Sequence, residues 1–317
     1  MSRYARQTCL PGVGEEGQAR LTEARVLVVG AGGLGSALLP LLAGAGVGAL
    51  RIVDPDTVEE SNLHRQTLYR MEDIGRAKAA VAAERLAALN PDCVATALVA
   101  RLDPVLARAE MAGAQVVVDA ADSVAVTYAL SDLCLAAGVP LVSASVVGRA
   151  GHVGGFCGGA PSYRAVFPDL PGQMQSCASA GVMGPVVASL GALQAQMVLA
   201  VLLGQAPSPL GQMLTLDAAS WRVSGFRFDA APEPEAALPR IVGLGEITRA
   251  DRVIELRGPD EAPDLPVPWA ERGGAPVQPG EGGGRTVFAC ATGLRAWRAA
   301  RAVVAAGGRE VAVLATG

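Results

Sequence analysis

The chain has 317 residues, 51% hydrophobic and 18% charged, with a formal net charge of −4. That composition supplies a large core and argues against wholesale disorder. The mild acidity gives no reason to expect a nucleic-acid partner, and the length fits one large domain or two.

The opening "MSRYARQTCLPG" lacks the apolar stretch of a secretory signal. From Val26 to Leu50 there is no charge. That stretch nevertheless contains several glycines and Pro40, and parses as strand, turn, helix and loop rather than as a membrane span. The runs "RVLVVG", "ALRIVD", "VVVDAA" and "PLVSAS" are short, apolar and rich in β-branched residues. Helical stretches separate several of them, including "GRAKAAVAAERLAALNP", which stops at Asn90-Pro91. Strands apolar on both faces and alternating with helices predict an α/β fold, a Rossmann-like, mostly parallel sheet covered by helices on both faces.

After Gly151 the pattern changes. "GHVGGFC", "YRAVF", "GQMLTLDA" and "RVSGFRF" read as later strands forming an antiparallel extension, with a helix from about Gly184 to Leu203 among them. That helix is long and apolar, but Pro185, Gln194 and Gln196 favour a buried core helix over a membrane span. The chain is therefore read as soluble and cytoplasmic, with no membrane partner. Residues 229–240, "DAAPEPEAALPR", read as a linker between a domain at 1–228 and a small α/β tail at 241–317. In the tail, "RVIELR", "RTVFAC" and "EVAVL" are strand-like and "GLRAWRAARAVVAAGG" is helix-like, while residues 258–284 read as loop.

The six cysteines (Cys9, Cys93, Cys134, Cys157, Cys177 and Cys290) form no C-x-x-C pair and read as reduced thiols. Among 26 basic residues Lys78 is the only lysine. An ammonium is a compact point charge and a guanidinium a flat fork, so a lone lysine marks a place that needs the former, unless it is a chance survivor.

Gly30, Gly32, Gly33 and Gly35 follow a strand and open a helix, where backbone N–H groups can hold a phosphate. Asp54 ends the next strand, placed to accept hydrogen bonds from ribose hydroxyls. To this point NAD and ATP fit equally. The polar segment "DPDTVEESNLHRQTLYRMEDIGRAK", residues 54–78, brings Asn62, Arg65, Gln66 and Lys78 to the same region. Two cations and two amides suit a triphosphate better than a pyrophosphate already met by a helix end. Asp122, just past "VVVD", stands on the same sheet edge and could hold Mg²⁺ or merely cap the next helix.

Together, "GAGGLGS", "VDPDTVEESNLHRQTLY", "GRAKA", "LNPD", "VVDAADS" and "CASAGVMGPVVASLGALQA" resemble the ThiF/MoeB/HesA adenylyltransferases, relatives of the ubiquitin-activating enzymes. The resemblance runs from about Tyr4 to Phe228, and "PLVSASVVGRAGHV" leans toward ThiF. It implies that ATP and the C-terminal glycine carboxylate of a ubiquitin-like, Gly-Gly-ended sulfur carrier give an acyl-adenylate and pyrophosphate. The pathway would be thiamine thiazole or molybdopterin biosynthesis. By the same resemblance the Gly30–Gly35 loop holds phosphate, Asp54 the ribose, Asn62, Arg65 and Gln66 the nucleotide pocket, Lys78 the phosphates and Asp122 magnesium. Arg6 matches an arginine that family dimers lend to the partner's site, which implies a homodimer. Cys177 matches a cysteine that can take part in acyl or persulfide transfer, or be a bystander.

Two departures stand out. Many relatives hold a structural zinc with two C-x-x-C pairs. Here Ser162 and Ala165 stand where the first pair would be and no second pair follows Phe228, so no zinc is expected. Ser123 replaces the asparagine that usually follows the aspartate. The tail resembles a shortened rhodanese domain, with Cys290 opening a six-residue loop that ends at Arg295. Loop N–H groups there could stabilise a persulfide for a sulfur relay, or the tail could be a structural appendage. The competing readings are an NAD-dependent oxidoreductase, disfavoured by the polar 54–78 segment, and a non-catalytic relative that kept the fold.

Overall fold

The computed structural model describes residues 2–170, 181–234, 238–273, 284–308 and 310–316. Two short helices, α1 (Ala5–Thr8) and α2 (Gly14–Glu23), precede β1 (Arg25–Val29). The chain then alternates: α3 (Gly33–Gly44), β2 (Ala49–Val53), α4 (Lys78–Leu89), β3 (Val94–Leu98), α5 (Pro104–Glu110), β4 (Val116–Asp119), α6 (Val124–Ala137) and β5 (Pro140–Val147). After β5 come β6 (Ala150–Cys157), α7 (Tyr163–Val166), α8 (Gly184–Leu203), β7 (Gln212–Asp217) and β8 (Arg222–Arg227).

These strands form one sheet in the order β3-β2-β1-β4-β5-β6-β7-β8. The first five run parallel, with Val28 opposite both Ile52 and Val118, and β6, β7 and β8 add on antiparallel. The parallel half is there because its strands are apolar on both faces: all four residues of β4 are buried, as are four of five in β1. On one face Val26, Val28, Ile52 and Val118 meet α3, α4 and α8; on the other Leu27, Val29, Val53 and Val117 meet α5 and α6. The order reverses direction between β1 and β4, so a crevice opens beyond their carboxyl ends.

Helix α8 is long and apolar enough to cross a membrane by composition, but half of its most apolar 18-residue window is buried. It packs under the sheet with Leu190 and Val198 fully covered, and Gln194 donates to the carbonyls of Asp119 and Val142 at 2.7 and 3.1 Å. A buried amide tied to two strands fixes this helix to the sheet's interior.

One expected strand is a helix. "YRAVF" has the residues of a strand, yet Tyr163–Val166 turns as α7 because the Ser162 hydroxyl caps the Ala165 N–H at 3.3 Å. Glu233 holds Ser162 in place, accepting from its N–H at 2.7 Å and its hydroxyl at 2.5 Å. The two positions where a first C-x-x-C pair would stand are thus joined to each other by a cap and to residue 233 by a carboxylate. Among the described residues of 229–240, besides Glu233, the Pro239 carbonyl accepts from Arg164 and Leu238 packs against the core.

A second, parallel sheet contains β9 (Arg240–Ile241), β10 (Arg252–Glu255), β11 (Glu271–Arg272), β12 (Thr286–Cys290) and β13 (Val311–Ala315), in the order β11-β10-β12-β13-β9. Helix α9 (Leu294–Ala305) lies on the face carrying Phe288 and Val313, and alternate residues Val287, Ala289 and Ala312 build a small core on the other. Trp297 of α9 is 2% exposed, with its ring centre 5.8 Å from that of Tyr128 in α6, so the second sheet shares a continuous apolar core with the first.

Candidate functional site

The glycine loop closes where two loops of the sheet meet. Gly30 has φ +98, a conformation side chains avoid, and a β-carbon there would sit 2.5 Å from the Ala120 carbonyl oxygen. The loop after β1 therefore lies directly on the loop after β4, which carries Asp122. A β-carbon on Gly35 would come within 2.2 Å of the Gly30 oxygen, so only glycine lets the turn run straight into α3. Gly32 and Gly33 face the 54–78 segment: the Gln66 amide nitrogen lies 3.8 Å from a β-carbon built on Gly32, and Arg65 Cγ lies 4.0 Å from one on Gly33. The four glycines, Arg65 and Gln66 are thus brought together as expected.

Asp54, 5% exposed, anchors the loop, since its carboxylate accepts the Ala31 N–H at 2.7 Å and the Asp56 N–H at 2.8 Å. Burial raises its pKa from the ordinary carboxylate value, and the two N–H bonds and the Lys78 charge oppose that rise. Each carboxylate oxygen keeps acceptor capacity beyond one bond, which suits a ribose diol. Asn62 and Gln66 are 7% and 3% exposed, and the side-chain oxygen of each is buried without a hydrogen-bond partner. Orphaned acceptors in a polar crevice are sites waiting for a donor, and the hydroxyls and amino group of a nucleoside supply donors.

Lys78, the first residue of α4, is 5% exposed, and its ammonium meets Asp56 Oδ2 at 2.9 Å. Arg65 is half-buried and donates to the Ser61 carbonyl at 3.0 Å. Asp122 is exposed and makes no hydrogen bond or ion pair among the described residues, and the following helix has Ser123 as its N-cap with no side-chain cap bond. The capping role that competed for Asp122 is absent, and its carboxylate faces solvent beside the glycine loop.

Arg6 is exposed on α1 and lies apart from this cluster. Its helix is pinned by Gln7, which donates to Gln18 at 2.8 Å and to the Ala45 carbonyl at 2.9 Å, and by Tyr4, whose hydroxyl accepts from Asn90 at 2.8 Å. Cys177 lies outside the described residues. Cys290 ends β12, 1% exposed, and its sulfur accepts the Ala296 N–H at 3.4 Å. The loop after it is shorter than the six residues expected, because α9 already begins at Leu294 and takes Arg295 into its first turn. Gly293 supplies the left-handed N-cap there, with φ +83, and Arg295 pairs with Glu261.

Three residues of the site went unnoticed in the sequence. The Tyr69 hydroxyl donates to the Ala31 carbonyl at 2.6 Å, closing the glycine loop from the side opposite Asp54. Asp56 joins the Asp54 carboxylate to the Lys78 ammonium. Asp119, fully buried at the end of β4, accepts from Ser143 at 2.7 Å and from the Ala121 N–H at 3.2 Å, shaping the turn that presents Asp122.

Burial pushes the Asp119 carboxyl from its ordinary 3.8 up to about 6, against hydrogen bonds from Thr127, Ser143 and Ala121 that favour the charged form. A folded-state value above the unfolded one favours the protonated acid. The group's stabilising contribution is therefore present below about pH 4 and lost as pH rises through about 6. Relative to Asp119→Asn, which does not titrate, the wild type should lose about 3 kcal/mol across that window in urea unfolding at stepped pH. A difference between the two proteins that stays constant with pH would contradict this.

The model of the ThiF family matches residues 4–237. A sulfur carrier protein adenylyltransferase from Thermus thermophilus is 44% identical over 226 residues, covering 69% of this chain and 83% of the relative. The adenylyltransferase and sulfurtransferase UBA4 from Yarrowia lipolytica is 42% identical over 205 residues, and the match spans 64% of this chain but only 52% of that longer protein. Among solved structures, E. coli MccB shares the fold with a TM-score of 0.64 at 20% identity, over 74% of this chain and 73% of MccB.

Proposed function

The chain belongs to the ThiF family, and from that premise we propose that it is an adenylyltransferase that uses ATP to activate the C-terminal glycine carboxylate of a ubiquitin-like sulfur-carrier protein. The observation that carries the reading is the pairing of a glycine loop with two orphaned buried acceptors, Asn62 Oδ1 and Gln66 Oε1, and one buried lysine. A nicotinamide site needs no ammonium beside its phosphate loop.

When bound, ATP with magnesium supplies an electrophilic α-phosphorus and a pyrophosphate leaving group. The chain's residues make the meeting of two anions tolerable. The N–H groups of Gly32, Gly33 and Leu34, at the start of α3, face phosphate, while those of Gly30 and Ala31 are held by the Val53 carbonyl and Asp54. Lys78 and Arg65 offset its charge and that of the incoming carboxylate. Asp54 orients the ribose through hydroxyl donors, and Asn62 and Gln66 fix the rest of the nucleoside. Asp122 is the residue that would hold magnesium; a single carboxylate suffices, since this ion commonly keeps waters and phosphate oxygens as its other ligands. Arg6, exposed on a pinned N-terminal arm, is the residue that a second copy of the chain would receive, making the working form a homodimer. Cys177 and, from the tail, Cys290 with Arg295 beside it are the thiol groups of this reading for the later sulfur step.

The test is the mass of a Gly-Gly-ended carrier after incubation with enzyme, ATP and magnesium. The reading expects a carrier heavier by one adenylyl group, formed only when the terminal carboxylate is free. With a persulfide donor and a thiol reductant added, Cys290→Ser should leave that product intact and reduce its conversion to thiocarboxylate, in which the persulfide displaces AMP and the thiol cleaves the resulting acyl disulfide. An unmodified carrier under all these conditions would overturn the proposal.

A further inference from the structure

Lys78 is the most deeply buried cation of the site, and among the described residues one side chain holds it. Its ammonium donates to Asp56 Oδ2 at 2.9 Å, and its side chain is only 6% exposed, whereas that of Asp56 is 60% exposed. Asp56 is itself built into the frame at two further points. Its N–H donates to Asp54 Oδ1 at 2.8 Å, and its carbonyl accepts the Lys78 N–H at 2.9 Å. The neighbouring backbone is paired as well: Thr57 bridges Ala77 antiparallel, and the Val58 N–H donates to the Arg76 carbonyl at 2.9 Å. A continuous line of hydrogen bonds thus runs from the Ala31 N–H in the glycine loop through Asp54 and Asp56 to the Lys78 ammonium.

We propose that Asp56 is the positioning residue for Lys78, fixing the ammonium so that its two remaining N–H donors point at nucleotide phosphate. This rests on the adenylyltransferase reading and deepens it. The physical reason is donor count. An ammonium has three donors, and one bond to Asp56 leaves two. A lysine stem has several rotatable bonds, and without a fixed partner a buried ammonium would have to be ordered by the ligand itself, at a cost to affinity. Asp56 also compensates the buried positive charge before any phosphate arrives. An aspartate whose main chain is bonded on both sides is suited to hold a partner in one place. A latch that must swing away when nucleotide enters would gain nothing from such anchoring.

The experiment is a double-mutant cycle on the full chain, reading affinity for a non-hydrolysable ATP analogue with magnesium. Asp56→Asn keeps the volume and every main-chain bond, and Asp56→Ala is run beside it in case the Asn variant folds poorly. Thermal melting checks each protein. Asp56→Asn should weaken binding about tenfold, the effect of losing one charge-assisted contact. Lys78→Ala should weaken it at least as much, and the double variant should be no worse than Lys78→Ala alone, because Asp56 acts through the lysine. Unchanged or tighter binding by Asp56→Asn would overturn the proposal, as expected of a competing latch. So would a loss that persists in the Lys78→Ala background and disappears without magnesium, which would mean that Asp56 grips the metal. If the wild type binds no ATP, the adenylyltransferase reading itself has failed; if it binds and Asp56→Asn matches it, only the positioning role has.

Discussion

Replacing Lys78 with alanine is expected to lower pyrophosphate exchange at least about 100-fold while leaving the melting temperature within a few degrees of wild type. The first half follows from where the charge sits. A buried ammonium next to the glycine loop acts in a water-poor setting, and removing one such preorganised group typically costs a factor of about 10² to 10³ in rate. No other lysine exists to replace it, and Arg65, the other cation beside the glycine loop, already spends one donor on the Ser61 carbonyl. The second half follows from what the side chain does not hold up. Alanine is the best helix former and sits at the first position of α4, where the Lys78 N–H bond to Asp56 is made by the main chain and survives. The carboxylate left behind, on Asp56, is largely in water and loses little. Exchange within threefold of wild type would remove Lys78 from the phosphate site.

Truncating Trp297 to alanine is expected to destabilise the chain by about 3–5 kcal/mol. The indole is 2% exposed at the junction of the two sheets. It also covers a charge: the Arg164 guanidinium stands 5.1 Å from the Trp297 ring and 4.8 Å from the Tyr128 ring. Arg164 is 7% exposed, pairs with Asp132 at 2.5 and 2.8 Å, and leaves Nη1 with no hydrogen-bond partner. The ring faces supply part of its compensation. Loss of the indole therefore opens a void and uncovers a buried charge together. A fall in melting temperature of roughly 10 °C is the expected scale for a chain of this size. Adenylation measured well below that melt should persist, because Trp297 and Tyr128 pack in the core on the sheet face opposite α3 and α4. A melting curve unchanged by Trp297→Ala would mean that the second sheet does not dock on α6 in solution.

How much of this was legible in the sequence follows from how local each feature is. The parallel half of the sheet was readable because its strands are apolar on both faces, and α8 runs from Gly184 to Leu203 as its composition indicated. The "YRAVF" segment misled because aromatic and β-branched residues favour strands, whereas the Ser162 cap and the Glu233 carboxylate 71 residues further on make it a helical turn. Gln66, Arg65, Asp54 and the glycines come together because a glycine loop and the segment after the next strand must meet at a sheet switch point. Asp119 escaped notice because a buried aspartate ending a strand reads like any other strand terminus, and Asp56 because the pairing of residues 56–58 with 75–78 is a tertiary arrangement. The Cys290 loop reads two residues too long at its end, since nothing local says that α9 starts at Leu294 rather than after Arg295.

The central claim is that a glycine cradle and a buried lysine let ATP and a protein carboxylate meet. Magnesium-dependent exchange of labelled pyrophosphate into ATP, measured with and without a Gly-Gly-ended carrier, tests it most directly. The account predicts exchange that appears with the carrier and vanishes when its terminal carboxylate is amidated. Absence of exchange, together with tighter binding of NAD than of ATP, would contradict it.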